Sequence, residues 1–229
     1  MFNGFSEKTV GFFWGIRLHN YKSWFEEHRN DYVENVQKPL QDFASEIEER
    51  FIKKYPEELF TIKIARIYRD ARRLFGRGPY KDNLWISIHR ETEEHTDRPG
   101  YWFGIGAETL SYGMGYFMPK AETMAKHRAR IDSQPQKLTA LAEELASQDT
   151  FTLYGEPYKK PKGHPGGILE DWSNLRSIGF EHEEPVGPQI EDPALVDRVI
   201  EGFEFLLPFY DYFSGLVSDP VPGTDKDPK

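Results

Sequence analysis

The apolar residues change their spacing once, near residue 60, and that change restricts the fold more than any other feature. Before it the period is helical. Thr9 to Leu18 reads as a helix capped by Ser6, with Val10, Phe13, Trp14 and Arg17 along one side. Ser23-Trp24-Phe25-Glu26 has capping-box spacing and opens a second helix, in which Trp24, His28, Tyr32 and Val36 recur every four residues. Pro39 lacks the N–H that a continuing helix needs, so a break is expected at Lys38. A third helix then places Leu40, Phe43, Ile47 and Phe51 inward.

After residue 60 the pattern alternates. Thr61 to Asp70, Leu84 to Arg90, Tyr101 to Ala107 and Ser111 to Met118 read as strands. Pro119 opens a helix bearing Met124, His127 and Ile131, and another near Pro135 bears Leu138, Leu141 and Leu145. Phe151 to Tyr158 and Ile178 to His182 are shorter strands. Asp192-Pro193 starts a last helix through Leu195, Val199, Phe203, Leu206 and Phe213, kinked or ended at Pro208. Helices, then strands, then helices predict an α+β class, with a mostly antiparallel sheet flanked by N-terminal, middle and C-terminal helices. One domain is expected over residues 1–217, with a flexible tail over 218–229.

Composition excludes several function classes. The 229 residues include 17 Phe, 12 Tyr and 5 Trp, too aromatic a load for a disordered acidic chain. Without cysteine there is no disulfide scaffold, thiolate metal site or cysteine nucleophile. No apolar run approaches the ~18 residues of a spanning helix, and Met1 to Glu7 shows no secretory signature, so no membrane association and a cytoplasmic protein are expected. No P-loop, nucleophile elbow or H-E-x-x-H motif occurs, and no cofactor is expected. His89, Glu91, Glu93, Glu94, His95 and Asp97 lack a regular ligand spacing, so they read as a solvated loop and no metal site is expected.

Charge points to a site. The chain carries −9, yet Ile62 to Lys81 holds Lys63, Arg66, Arg69, Arg72, Arg73, Arg77 and Lys81 against Asp70 alone. That segment is +6 inside a remainder of −15. Five of the seven cations are arginine, whose planar fork matches phosphate or carboxylate. If the strand runs to Asp70, Arg66 continues the apolar row of Ile62 and Ile64 and must be paired or face a cavity. Downstream, a hairpin with a two-residue Glu108-Thr109 loop puts Gly104, Gly106, Ser111, Gly113 and Gly115 on one face, walled by Trp102 and Phe117. Such a side-chain-poor trough suits a ligand or a tightly packed helix.

The expected site is therefore a small-anion site with Arg66, Arg69, Arg72, Tyr80 and Lys81 as its wall, and Gly104, Gly106, Gly113 and Gly115 as its floor. Lys162, in the basic loop Tyr158 to Pro165, is a further contact. Asp70 and Glu108 are the candidate acid/base groups if the protein is an enzyme. The alternative is a non-catalytic interaction module that holds an acidic partner on the basic loop, with Tyr80, Phe75 and Trp102 exposed. The −15 on the remaining chain argues against nucleic acid as a partner.

Several of these segments carry a resemblance in one order: Asn20 with Trp24-Phe25, K-I-A-R-I-Y-R-D at Lys63 to Asp70, Pro79-Tyr80-Lys81, and Y-F-M-P ending at Pro119. The chain resembles, from about Phe5 to Leu216, a widespread bacterial family of conserved hypothetical proteins, domain of unknown function 2461. Tyr158 to Pro165 looks like that family's lysine-proline-lysine-glycine turn. The resemblance implies a match at the scale of the fold and carries no mechanism.

Overall fold

The computed structural model describes residues 1–90, 98–116 and 118–223, apart from the side chain of Arg73. Its fold is α+β, built on a six-stranded antiparallel sheet. The strands are β1 (Phe60–Ile64), β2 (Asn83–Arg90), β3 (Gly100–Gly106), β4 (Thr109–Gly115), β5 (Thr152–Tyr154) and β6 (Gly179–Pro185), in the order β1-β2-β3-β4-β6-β5. Two compact units divide the chain, one of residues 1–88, 102–112 and 183–202, the other of 89–101, 113–182 and 203–229. Among the described residues, no helix is long and apolar enough to cross a membrane.

In the first unit, α1 (Glu7–Leu18) begins where the Ser6 N–H donates to Thr9 Oγ1 at 3.1 Å. Its buried residues are Thr9, Phe12, Phe13 and Ile16, so the inward face is rotated from the one expected and Trp14 stays exposed. The next helix, α2 (Lys22–Glu27), is capped at Tyr21 rather than Ser23. After α3 (Arg29–Tyr32), a π-helical turn over Val33–Gln37 leads into α4 (Lys38–Arg50). The expected break at Lys38 is absent. Pro39 falls in the first turn of α4, directly after the π-helical turn, and the chain stays helical through Lys38. Leu40, Phe43, Ile47 and Phe51 are all fully buried, and Phe43 stacks on Phe103 of β3 at 4.3 Å. The N-terminal helices thus cover the Phe103 face of the hairpin, leaving Gly104 and Gly106 on the opposite face.

Strand β1 ends at Ile64, six residues before its expected limit. Alternation therefore stops short of Arg66, which is exposed rather than embedded in an apolar row. A short pairing resumes further on: Tyr68 bridges Tyr80, Arg69 N–H donates to Pro79 O at 2.7 Å, and Lys81 N–H donates to Ile67 O at 2.8 Å. The β3–β4 connection is Ala107-Glu108, one residue earlier than expected. The pairing expected, Gly104 opposite Gly113 and Gly106 opposite Ser111, shifts by two residues. That keeps the glycines on one face and puts Gly104 beside Ser111, whose Oγ would lie 4.0 Å from a Gly104 Cβ. The first part of α8 (Leu195–Phe205) also belongs to this unit.

The second unit packs α5 (Ala121–Ser133), α6 (Pro135–Ala146), α7 (Glu170–Asn174) and α9 (Leu207–Ser214) with the start of β6. Met124, His127 and Ile131 are buried along α5 as their spacing predicts, and Phe180 of β6 packs on Phe209 at 4.8 Å. Strand β5 is shorter than expected and pairs antiparallel with β6, Leu153 opposite Phe180. Pro208 lies in the first turn of α9, so the C-terminal helix is two helices. In the segment expected to be a flexible tail, Asp219 is held by Arg130 Nε and Nη2 at 2.6 and 2.7 Å.

Candidate functional site

The glycine face of the hairpin opens into a cleft of about 640 Å3 within the first unit. Its floor holds Gly104 and Gly106, and its sides include Arg17, Asn20, Arg69, Arg77, Asp82 and Glu108. Three distant pieces of chain supply these groups: the last turn of α1, the turn entering β2, and the β3–β4 hairpin.

Backbone hydrogen bonding decides where Arg69 points. Its N–H is taken by Pro79 O, so its side chain lies along residues 80–82. There Nε donates to Tyr80 O at 2.7 Å and Nη2 to Asp82 Oδ1 at 3.0 Å. From the other side Arg17 Nε donates to Asp82 Oδ2 at 2.7 Å and Nη1 to Glu108 Oε2 at 2.6 Å. One carboxylate thus holds two guanidinium groups, one on each oxygen. Burial raises the Asp82 carboxyl pKa, but the Arg17 bond, its own backbone N–H and the two arginine charges outweigh that and hold it below the usual carboxylate range. Arginine is protonated at any working pH, and its bonds to Glu108 and Asp82 raise Arg17 further.

Each of these arginines keeps an unused terminus. Among the described residues, Nη2 of Arg17 and Nη1 of Arg69 have no hydrogen-bond acceptor. Arg77 adds a third guanidinium to the wall. The side chains of Asn83, Thr109 and Ser111 also line the cleft, with no protein hydrogen bond among the described residues.

Asn20 shapes the entry turn. Its amide Nδ2 donates to Tyr80 O at 3.0 Å and its Oδ1 accepts from Tyr80 N–H at 2.9 Å. A Cβ on Gly78 would sit 2.2 Å from that Oδ1, so only glycine lets Asn20 close on the turn.

The sequence-derived site divides across the molecule. Of its wall, Arg69 lines the cleft and Arg66, Arg72, Tyr80 and Lys81 do not. Arg72 is 86% exposed and gives both Nε and Nη2 to Asp70. Tyr80 is only 3% exposed and stacks on Phe25 at 4.3 Å, a core residue whose backbone, not its ring, serves the site. Lys81 Nζ donates to the carbonyls of Arg66 and Tyr68 and sits 4.9 Å over the Trp85 ring. Burial lowers its pKa, as do the charges of Arg69 and Arg66. Lys162 belongs to the second unit, with its Nζ 5.8 Å from the Tyr158 ring centre.

Of the floor, Gly104 and Gly106 line the cleft. Gly113 and Gly115 fall in the second unit, and a Cβ on Gly115 would meet Gly179 Cα at 2.5 Å, so its bare face accommodates a neighbouring strand. Of the acid/base candidates, Glu108 lines the cleft. Asp70 caps the turn Ala71–Arg73 by accepting from Arg72 N–H at 3.0 Å. Phe117 and residues 91–97, which contain most of the His89–Asp97 run, lie outside the described residues. Phe75 is exposed with a left-handed φ of 48°, whereas Tyr80 is unavailable for the flat patch that an interaction module needs.

Sequence reasoning missed Arg17, Asp82 and Asn83 as site residues. One signal was present: Asp82 directly follows the basic segment that it organises.

Fold and cleft together define an α+β protein with a polar, arginine-sided groove on a glycine-floored hairpin. Residues 8–212 match the family described as conserved hypothetical protein (DUF2461), and the chain belongs to that family. No curated protein matches it.

Proposed function

We propose that this protein binds a small anionic ligand, bearing phosphate or carboxylate, in the cleft between α1, the turn before β2 and the β3–β4 hairpin. One observation carries the reading. Asp82 fixes Arg17 and Arg69 by one oxygen each, and leaves each guanidinium an unused terminal nitrogen. Donors held in place by a carboxylate lose little freedom when an anion arrives. Gly104 and Gly106 remove the side chains that would otherwise fill the space above the sheet.

Calorimetric titration with inorganic phosphate and sulfate tests this, alongside thermal unfolding. At 100 times Kd, binding stabilises the fold by about 2.7 kcal/mol, or several degrees of Tm. Arg17→Gln and Arg69→Gln are each expected to weaken binding at least tenfold, with Arg72→Ala unchanged. No heat and no Tm shift with either anion at millimolar concentration would overturn the proposal.

A further inference from the structure

We infer that the ligand is a phosphate monoester of a polyhydroxylated compound, such as a sugar or polyol monophosphate. This rests on the anion-binding reading above and narrows it to a substrate class.

Charge sets the size of the anionic part. Three guanidinium groups and two carboxylates line the cleft, leaving one formal positive charge. A phosphate monoester carries about −1.5 to −2 at neutral pH, with three terminal oxygens to take the unused donors of Arg17 and Arg69. A planar carboxylate offers two oxygens and one negative charge, fewer of each than a phosphate monoester. A di- or triphosphate carries still more negative charge than that single positive surplus offsets.

The remaining groups describe what the phosphate is attached to. Asn83, Thr109 and Ser111 present neutral donors and acceptors without protein partners among the described residues, and Glu108 Oε1 accepts no hydrogen bond there. Such groups reward hydroxyls, because each unpaired polar atom covered by an apolar ligand costs free energy. No aromatic side chain is among the cleft-lining residues, so there is no platform for a nucleobase. Of the rings outside that lining, Trp14 is covered by the Arg17 guanidinium at 4.9 Å, and Trp85, its Cβ 3.7 Å from where a Gly104 Cβ would stand, is covered by Lys81 Nζ.

The test titrates the intact chain with inorganic phosphate, ribose 5-phosphate, ribose and ADP. Ribose 5-phosphate at least tenfold tighter than phosphate, with ADP weaker than ribose 5-phosphate and ribose silent, is the expected result. Ser111→Ala and Asn83→Ala should reduce the ribose 5-phosphate advantage while leaving phosphate affinity in place. Glu108→Gln should tighten phosphate several-fold, by removing the negative charge beside Arg17, and shrink the sugar advantage. Phosphate binding with no gain from the sugar, or ADP as the tighter ligand, would overturn this inference and leave the anion site standing. Failure of every phosphate compound, inorganic phosphate included, would remove both.

Discussion

Asn20 and Tyr80, 60 residues apart, are joined by a closed pair of hydrogen bonds, the Asn20 amide giving its N–H to the Tyr80 carbonyl and taking the Tyr80 N–H. That pair anchors the turn carrying Arg77 and Asp82 to the end of α1. A side-chain amide used this way imitates a strand partner for one residue.

Asn20→Ala leaves both backbone groups of Tyr80 without that partner. A destabilisation of about 1–3 kcal/mol is expected, seen as a Tm decrease of roughly 2–10 °C. Asn20→Asp keeps the acceptor for the Tyr80 N–H but loses the donor, so its Tm should fall between the two. Equal Tm values for wild type and Asn20→Ala would show that the turn is held elsewhere.

The Asp82 bridge predicts a pH dependence. A carboxyl whose folded pKa lies below its unfolded value adds stability above the unfolded value, and that stability is lost as pH falls through the folded one. The two arginines put Asp82 in this class. The stability gap between wild type and Asp82→Asn should be constant above about pH 5 and should narrow below about pH 4. Urea unfolding across that range measures it; a gap that widens on acidification would contradict the assignment.

His127 adds an acid sensitivity of the same sign in the second unit, from burial of a neutral ring instead of pairing of a charge. It is fully buried; its Nε2 donates to Trp172 O at 3.2 Å, leaving Nδ1 with no partner among the described residues. Burial lowers its pKa to about 4. A proton added at Nδ1 would have nothing to bond. The unfolded chain binds that proton below about pH 6.5, so the fold loses stability from there down to about pH 4, by about 3 kcal/mol in all. His127→Gln retains a donor for Trp172 and should flatten the curve between pH 6.5 and 4.

Gly104 separates stability from binding. A Cβ there would have ordinary contacts, the nearest at 3.7 Å, and glycine in a strand interior costs roughly 0.5–1 kcal/mol relative to alanine. Gly104→Ala should raise Tm by about 1–4 °C while weakening phosphate binding. A higher Tm with unchanged affinity would place the ligand away from this strand.

The cations outside the cleft supply a negative control. Removing the Arg72 or Lys81 charge by substitution with alanine should leave the phosphate Kd within about twofold. Exposed pairs such as Arg72–Asp70 contribute little to stability, so Arg72→Ala should also unfold at the wild-type temperature.

Local spacing determined much of this protein. Leu40, Phe43, Ile47 and Phe51 were legible as an inward helix face, and Gly104, Gly106 and Ser111 as neighbours on one face of a hairpin, because periods of 3.6 and 2 act within a few residues. The basic segment was legible too, as an excess of charge. Tertiary structure decided which cations face the cleft. Arg17 meets Asp82 across 65 residues, and only the packing of α1 beside the sheet brings them together. Arg66 and Tyr80 moved to other tasks for the same kind of reason, one because β1 stops at Ile64, the other because Phe25 offers its ring a buried partner. Charge can be counted along a chain, but what neutralises it depends on neighbours that only the folded state supplies.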